Sequence, residues 1–357
     1  MHEKAVEGGP KARPPLHRAA AALGFWAAAA LLFGALNGAA QARDRVTISA
    51  FQSAFVNLPI YVAKQLKLFE KHGLDVELLY GTGIQVTNIL MGGSADFGAF
   101  AVEHGITVIG KGQDVRLLVL DQTLPPFAMI VRNDVPTPHL DQPYPAMLQD
   151  LKGLKLGITT IGASTDVTLR YLLHQVGIEP QDVQLIPAGA PSAQIAALKN
   201  KMIDGALSTE PVQSEAISGL KIAKMVLDIQ GGNGPPIFRD YAYNGVFTTG
   251  SYLKSHPEQA HAVVAAVAEA EEMINDPGHL DEVAQVAADN MRGFDPALLR
   301  AFIEKYRTIF HPIATPQAID NVETYLRGAQ MLAQPVPYER VVATDFMPHE
   351  FPATAGR

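Results

Sequence analysis

Gly92-Gly-Ser-Ala-Asp96-Phe-Gly98 and Lys201-Met-Ile-Asp204-Gly-Ala206 are two versions of one phrase. In each, a short helix ends in a small turn, and an aspartate precedes a strand of small residues. Either alone is ordinary helix–turn–strand grammar. Their separation by more than a hundred positions makes them informative, because each sits in its own series of alternating strands and helices. Alternation at this spacing implies βαβ units and mainly parallel sheets. Each strand then delivers its loop to the carboxyl end of a sheet, where open α/β sheets bind ligands.

Around the first phrase, Val46–Phe51 reads as a buried strand and Pro59–Phe69 as a helix, with Ile60, Ala63, Leu66 and Phe69 at helical spacing. Val76–Tyr80 is the next strand, Gln85–Met91 a helix and Asp96–Ala99 a strand, with Leu117–Asp121 and Phe127–Val131 as further candidates. The Pro-rich stretch 136–145 is expected to be the first crossing between two lobes. Around the second phrase, strands at Leu154–Ile158, Val183–Pro187, Ala206–Ser208 and Met225–Asp228 alternate with helices at Ser164–Val176, Ala193–Asn200 and Pro211–Ile217. Tyr243–Thr248 reads as a strand returning to the first lobe. Helices follow at Pro257–Ile274, Leu280–Asn290, Pro296–Phe310 and Gln317–Met331, and are expected to pack on lobe 1. The lobes are therefore placed at 43–135 with 244–357, and at 136–243.

Composition narrows the function classes. The 357 residues carry a net charge of −8 and 48% apolar residues, as a globular protein does. An acidic body without a basic stripe argues against a nucleic-acid partner. The chain has no cysteine, which excludes thiol nucleophiles, disulfides and Cys-ligated metals. No Gly-x-Ser-x-Gly elbow, Walker loop or HExxH motif occurs. The eleven histidines lack metal-ligand spacing, His72/His104 and His256/His261 included, so no metal is expected.

Residues 1–42 have the layout of a secretory signal peptide. Lys11, Arg13 and Arg18 precede an apolar run from Ala19 to Leu36, and Ala40-Gln-Ala42 offers small residues at a cleavage site. An uncleaved anchor is the alternative. A soluble, periplasmic mature chain beginning near Arg43 is expected.

With these features the chain resembles the periplasmic substrate-binding proteins of ABC importers. The branch is that of nitrate, alkanesulfonates, taurine and thiamine-pyrimidine precursors. The resemblance is carried by Leu58-Pro-Ile-Tyr-Val-Ala63, Leu68-Phe-Glu-Lys-His-Gly-Leu-Asp-Val76, Leu151-Lys-Gly-Leu-Lys-Leu-Gly157, Gly162-Ala-Ser164-Thr165-Asp166, Gly177-Ile-Glu-Pro-Gln-Asp-Val183 and Thr209-Glu210-Pro211, in the family's order from Val46 to Tyr252. It implies a two-lobed type II α/β fold that closes over a small molecule and presents it to membrane permease subunits. A monomer with no cofactor and no chemistry is expected. The ligand is expected to be organic, of sulfonate, pyrimidine or aromatic type. The alternatives are an enzyme on the same frame, such as a menaquinone-precursor or thiamine-pyrimidine biosynthetic enzyme, and a sensory binding module.

The candidate ligand contacts are strand-end and helix-start residues. Gln52 and Ser53 follow the first strand, and Asn57 precedes its helix, where capping is an equal use. Thr82 and Gly83 lie in a turn; Phe100 and Ala101 follow the phrase strand of lobe 1. Ser164 and Thr165 open a helix whose N-terminus favours an anionic or acceptor group. Glu210 follows the phrase strand of lobe 2 and could pair with a cationic group, or serve its own helix start. Asn244, with Tyr241 and Tyr243, lies near the return crossing. Asp96 reads as structural, and Arg116 and Arg132 as salt-bridge residues, so no arginine clamp is evident.

Overall fold

Two five-stranded sheets of matching order carry residues 43–351, the part described by this computed structural model. The expected signal segment lies outside the described residues. The first half of the chain forms β1 (Asp44–Phe51), α1 (Leu58–Gln65), α2 (Leu68–Lys71), β2 (Leu74–Gly81), α3 (Gln85–Met91), β3 (Phe97–Ala101), α4 (Val102–Gly110), β4 (Val115–Gln122) and β5 (Ala128–Arg132). The second series is β6 (Lys155–Ile158), α5 (Ser164–His174), β7 (Gln184–Pro187), α6 (Pro191–Lys199), β8 (Gly205–Ser208), α7 (Val212–Ser214), β9 (Ala223–Asp228) and β10 (Asn244–Thr249). Helices α8 (Gly250–Ser255), α9 (Pro257–Asn275), α10 (Leu280–Asn290), α11 (Pro296–Tyr306), α12 (Pro316–Gly328) and α13 (Tyr338–Val341) end the chain. No helix among the described residues is long and apolar enough to cross a membrane.

The sheet orders are β2-β1-β3-β10-β4 and β7-β6-β8-β5-β9. In each, four strands run parallel to one another, and the fourth position holds one antiparallel strand contributed from the other half of the chain. This two-sheet α/β arrangement is the expected fold class. One boundary differs from the expectation. Residues 128–132 pair with β8 and β9, so the first crossing is the short segment after Gln122, not the Pro-rich stretch 136–145. Leu124-Pro-Pro126 makes that crossing, since prolines cannot continue a ladder. The expected helix 59–69 is broken at Lys67, which takes a left-handed conformation at φ 61°.

The twin aspartates explain the matched phrases. Asp96 Oδ2 accepts from Thr47 N and Thr47 Oγ1, both at 2.8 Å, fixing the start of β3 against β1. Asp204 Oδ2 accepts from Lys155 N at 2.9 Å and so fixes β8 against β6. Its Oδ1 accepts from Arg132 Nη1 at 3.0 Å, which also ties in β5. Each carboxylate supplies acceptors where the ladder begins and backbone donors would otherwise lack partners.

The first sheet buries Val46, Ile48, Phe97, Val119 and Val246 under α1 and α9, whose Ala260, Val263, Val267, Ala270 and Ile274 form one apolar stripe. Helices α9 and α10 pack on lobe 1 as expected. Helices α11 and α12 reach further. Helix α11 touches α7 and the following turn Glu215–Gly219 of the second half, and α12 packs on α4 while Tyr325 Oη meets Thr168 Oγ1 of α5 at 3.0 Å.

Candidate functional site

Where the carboxyl ends of the two sheets face each other, loops from both enclose a cavity of about 70 Å³. From the first sheet come the β1 end with Phe51 and Gln52, the β2–α3 turn Gly81-Thr-Gly83, and His104 in the first turn of α4. From the second come Thr159 and Ala163 to Thr165 around the start of α5, Gly189 to Pro191 and Gln194 around the start of α6, and Thr209 after β8. Phe127 and Tyr243 close the floor, one on each crossing, with rings edge to face at 5.3 Å.

The seam between the halves is tight. Gly83 has φ 52°, and a Cβ there would collide with Thr160 Oγ1 and lie 3.2 Å from Ala163 Cβ. Glycine is required on both counts, conformation and approach. The loop across the seam is itself held rigid. Thr165 Oγ1 accepts from Thr159 N at 2.9 Å, and Asp166 Oδ2 accepts from Gly162 N at 2.9 Å.

Three helices of nine or more residues, α4, α5 and α6, begin at this cavity, and the positive ends of their dipoles converge on it. Among the described residues no Arg, Lys, Asp or Glu side chain lines it. Two buried lining atoms, His104 Nε2 and Gln194 Oε1, have no hydrogen-bond partner. Thr160 Oγ1 at the seam is likewise unpartnered. Burial pushes the His104 imidazole down to about 4, so it is neutral at ordinary pH. The surface therefore offers backbone N–H groups, hydroxyls, an amide and a neutral imidazole between aromatic walls. That set suits an anionic or acceptor group on a partly apolar molecule.

Of the candidate contacts, Gln52, Thr82, Gly83, Ser164 and Thr165 line the cavity, as does Tyr243. The other six lie elsewhere. Ser53 occupies a left-handed turn at φ 51°. Asn57 Oδ1 accepts from Phe51 N at 2.7 Å and so shapes the β1–α1 turn. Phe100 is core, stacked on Phe247 at 4.6 Å. Ala101 is buried as the residue before α4. Glu210 accepts from Ser214 N and Oγ, at 3.1 and 2.8 Å, and lines a separate groove beside α11 with Lys305 and Tyr306. Asn244 is buried against Asp121. Ser164 does not cap its own helix; its hydroxyl faces the cavity wall and the carboxyl of Glu103.

Sequence reasoning missed Phe51, His104, Phe127, Thr159, Gln194 and Thr209. A strand-end rule extended one residue to each side reaches Phe51, Thr159 and Thr209. Nothing local marks Gln194 or His104.

Comparison with known proteins places residues 41–288 within the model of the NMT1-like family. A nitrate/nitrite binding protein of a Nostoc species is 26% identical over 140 residues, which is 39% of this chain and 30% of that protein. The 4-amino-5-hydroxymethyl-2-methylpyrimidine phosphate synthase of Schizosaccharomyces pombe is 23% identical over 62% of this chain and 63% of its own. The chain thus aligns with less than two thirds of either relative. The solved structure of the alkanesulfonate-binding protein of Xanthomonas axonopodis pv. citri, bound to MOPS, shares the fold. It superposes with a TM-score of 0.64 at 17% identity, over 85% of this chain and 97% of that one.

Proposed function

The chain belongs to the NMT1-like family, and from that premise we propose that it is an extracytoplasmic solute-binding protein that shuts two lobes over a small organic molecule and delivers it to an ABC importer. The observation that carries the reading is the cavity itself. It is built by loop ends of two separate sheets, closed at a glycine seam, and lined by donors and acceptors without a charged side chain. Such a site fixes a guest by hydrogen bonds and expels water as the halves meet. The nitrate- and alkanesulfonate-binding relatives support a solute-binding role.

In this reading lobe 1 is the first sheet with α8 to α11, lobe 2 is the second sheet, and the two segments joining β4 to β5 and β9 to β10 are the hinge. The aromatic walls and converging helix starts favour a sulfonate-, pyrimidine- or aromatic-acid-type guest over a bare inorganic anion. A thermal-shift panel of alkanesulfonates, aminopyrimidines, aromatic carboxylates and nitrate tests this. One class is expected to raise the melting temperature by mass action, with compaction in small-angle scattering. Stabilisation by nitrate alone overturns the ligand class, and a tight ligand that causes no compaction overturns the role.

Catalysis on the same frame is the second reading, favoured by the likeness to the pyrimidine phosphate synthase. Among the described lining residues His104 is the one imidazole, which burial holds neutral, and no carboxylate or thiol lines the cavity. Chemical conversion of a stabilising compound on incubation with the protein establishes the enzyme and ends the transport reading.

A further inference from the structure

Glu103 and His104 open the first turn of α4, with Glu103 Oε1 and His104 Nε2 4.0 Å apart. They are 3% and 2% exposed, and neither of these atoms has a hydrogen-bond partner. An acid and a base so placed in a core need a reason, because each is costly to bury charged. The burial comes from across the seam. Ser164 of the second half and Tyr241 of the return crossing face the Glu103 carboxyl. Ser164 and Tyr243 share the cavity wall with His104. These contacts from across the seam are part of what buries the pair.

The other groups around the pair carry no compensating charge. Tyr241 and Tyr243 come from the return crossing and Tyr325 from α12, and burial raises all three, so they stay neutral. Asp121 of β4, itself a buried acid, acts on Tyr243 and on Glu271 of α9. Thr87 Oγ1 meets His104 Nδ1 at 3.4 Å. No cation is among them.

We propose that Glu103 and His104 form one proton-exchanging pair: as the halves close, the carboxyl gains a proton and the imidazole gives one up, so that the shut cavity holds no net negative charge against an acceptor or anionic guest. The proton comes from His104 itself where that residue is protonated in the open form, and from solvent at higher pH. Closing then creates a neutral acid and a neutral imidazole from a carboxylate and an imidazole in either state, with atoms and charge conserved. Burial supports the direction, raising Glu103 from 4.5 to about 7 and lowering His104 from 6.5 to about 4. The two shifts are opposite in sign, so the pair offsets its own pH dependence below about pH 6.5.

The proton exchange rests on the two-lobe reading, in which the halves part and close, and only the role assigned to the guest rests on solute binding as well. The test therefore uses no ligand. Small-angle scattering of the protein between pH 7.5 and 5.5, values that bracket the His104 transition of the open form, reports the closed-to-open ratio. In H104Q this ratio is expected to rise on the order of ten-fold as pH falls, because Glu103 alone gains its proton. In E103Q it is expected to fall on the order of ten-fold, because His104 alone must release one. The wild type changes less than either. A variant that tracks the wild type over this range overturns the proposal. Should a variant fail to fold, carbon-detected NMR titration of the wild-type Glu103 carboxyl and His104 ring decides: displaced titrations in opposite directions sustain the pair, and ordinary values for both overturn it.

Discussion

Asn244 Nδ2 donates to Asp121 Oδ1 at 2.9 Å, and both residues are fully buried. Asp121 lies at the end of β4 before the first crossing and Asn244 opens β10 after the return, so this one bond joins the two strands between which the chain leaves and re-enters the first sheet. Tyr243 N donates to Gln122 O at 3.0 Å beside it. The two short segments that join the sheets are thus held at one root.

Burial raises the Asp121 carboxyl from 3.8 to about 7, against the pull of Asn244, which favours the ionised form. The folded chain therefore holds a proton there that the unfolded chain has lost between these two values. This group's contribution is full below about pH 4 and is lost as pH rises to about 7, at about 1.4 kcal/mol per unit. D121N removes that slope. Its stability relative to wild type, from urea unfolding, is expected to improve steadily between pH 5 and 7 and to level off above. A constant difference across that range refutes the assignment.

Gly83 decides whether the halves can meet. In G83A the new methyl collides with Thr160 Oγ1 across the seam, while lobe 1 alone has space for it. The variant is expected to fold, with a loss of about 1–2 kcal/mol from its positive φ. Its compaction with any stabilising ligand should be abolished, and affinity should fall at least about ten-fold. Double substitution with Thr160→Gly is expected to restore part of it. Unchanged closure in G83A places the seam elsewhere.

Much of this frame was legible because the repeat of one phrase carries its own physical reason. Asp96 and Asp204 each fix a strand start, so the residue type and its position recur wherever that joint is built. The cavity was legible where strands end in Gln52 and Gly81 or helices begin at Ser164. It was not legible at α4. Val102-Glu-His-Gly-Ile-Thr-Val-Ile-Gly110 is rich in β-branched residues and glycine, and tertiary packing against Phe247 and Leu332 overrides that local preference. With the helix unseen, Glu103 and His104 had no place. Asn57, just before a helix, and Glu210, just after a strand, take the local use that was the equal alternative for each: both turn inward to satisfy nearby backbone groups. The strand at 128–132 reads identically in either sheet; only pairing with β8 and β9 assigns it.

The matched aspartates should be matched in consequence. Asp96→Ala leaves Thr47 N and Oγ1 without their acceptor, and Asp204→Ala does the same to Lys155 N while freeing Arg132 from one carboxylate. Each is expected to cost about 1–3 kcal/mol in chemical denaturation. Asp96→Asn keeps one acceptor oxygen and should cost less. Neither site touches the cavity, so ligand affinity measured where the variants are fully folded is expected to stay within about two-fold. A large affinity loss in folded D96N makes that residue a ligand contact.

Tyr325 tests whether the C-terminal helices belong to one lobe or restrain both. Its helix packs on α4, yet its hydroxyl meets Thr168 of α5 at 3.0 Å and its ring lies edge to face with Tyr171 at 5.4 Å and with Phe238 at 5.5 Å. Tyr325→Phe removes the hydroxyl and keeps the ring, so global stability is expected to drop by only about 1 kcal/mol. The effect on closure should be separable from that. If α12 ties α4 to α5 in the shut form alone, the variant opens more readily, and scattering in the absence of ligand shows a larger radius of gyration at unchanged fold content. If the contact persists through opening, the melting temperature falls and the radius does not change. The second result makes α12 part of the hinge body, and the swing of lobe 2 must then leave α5 in place.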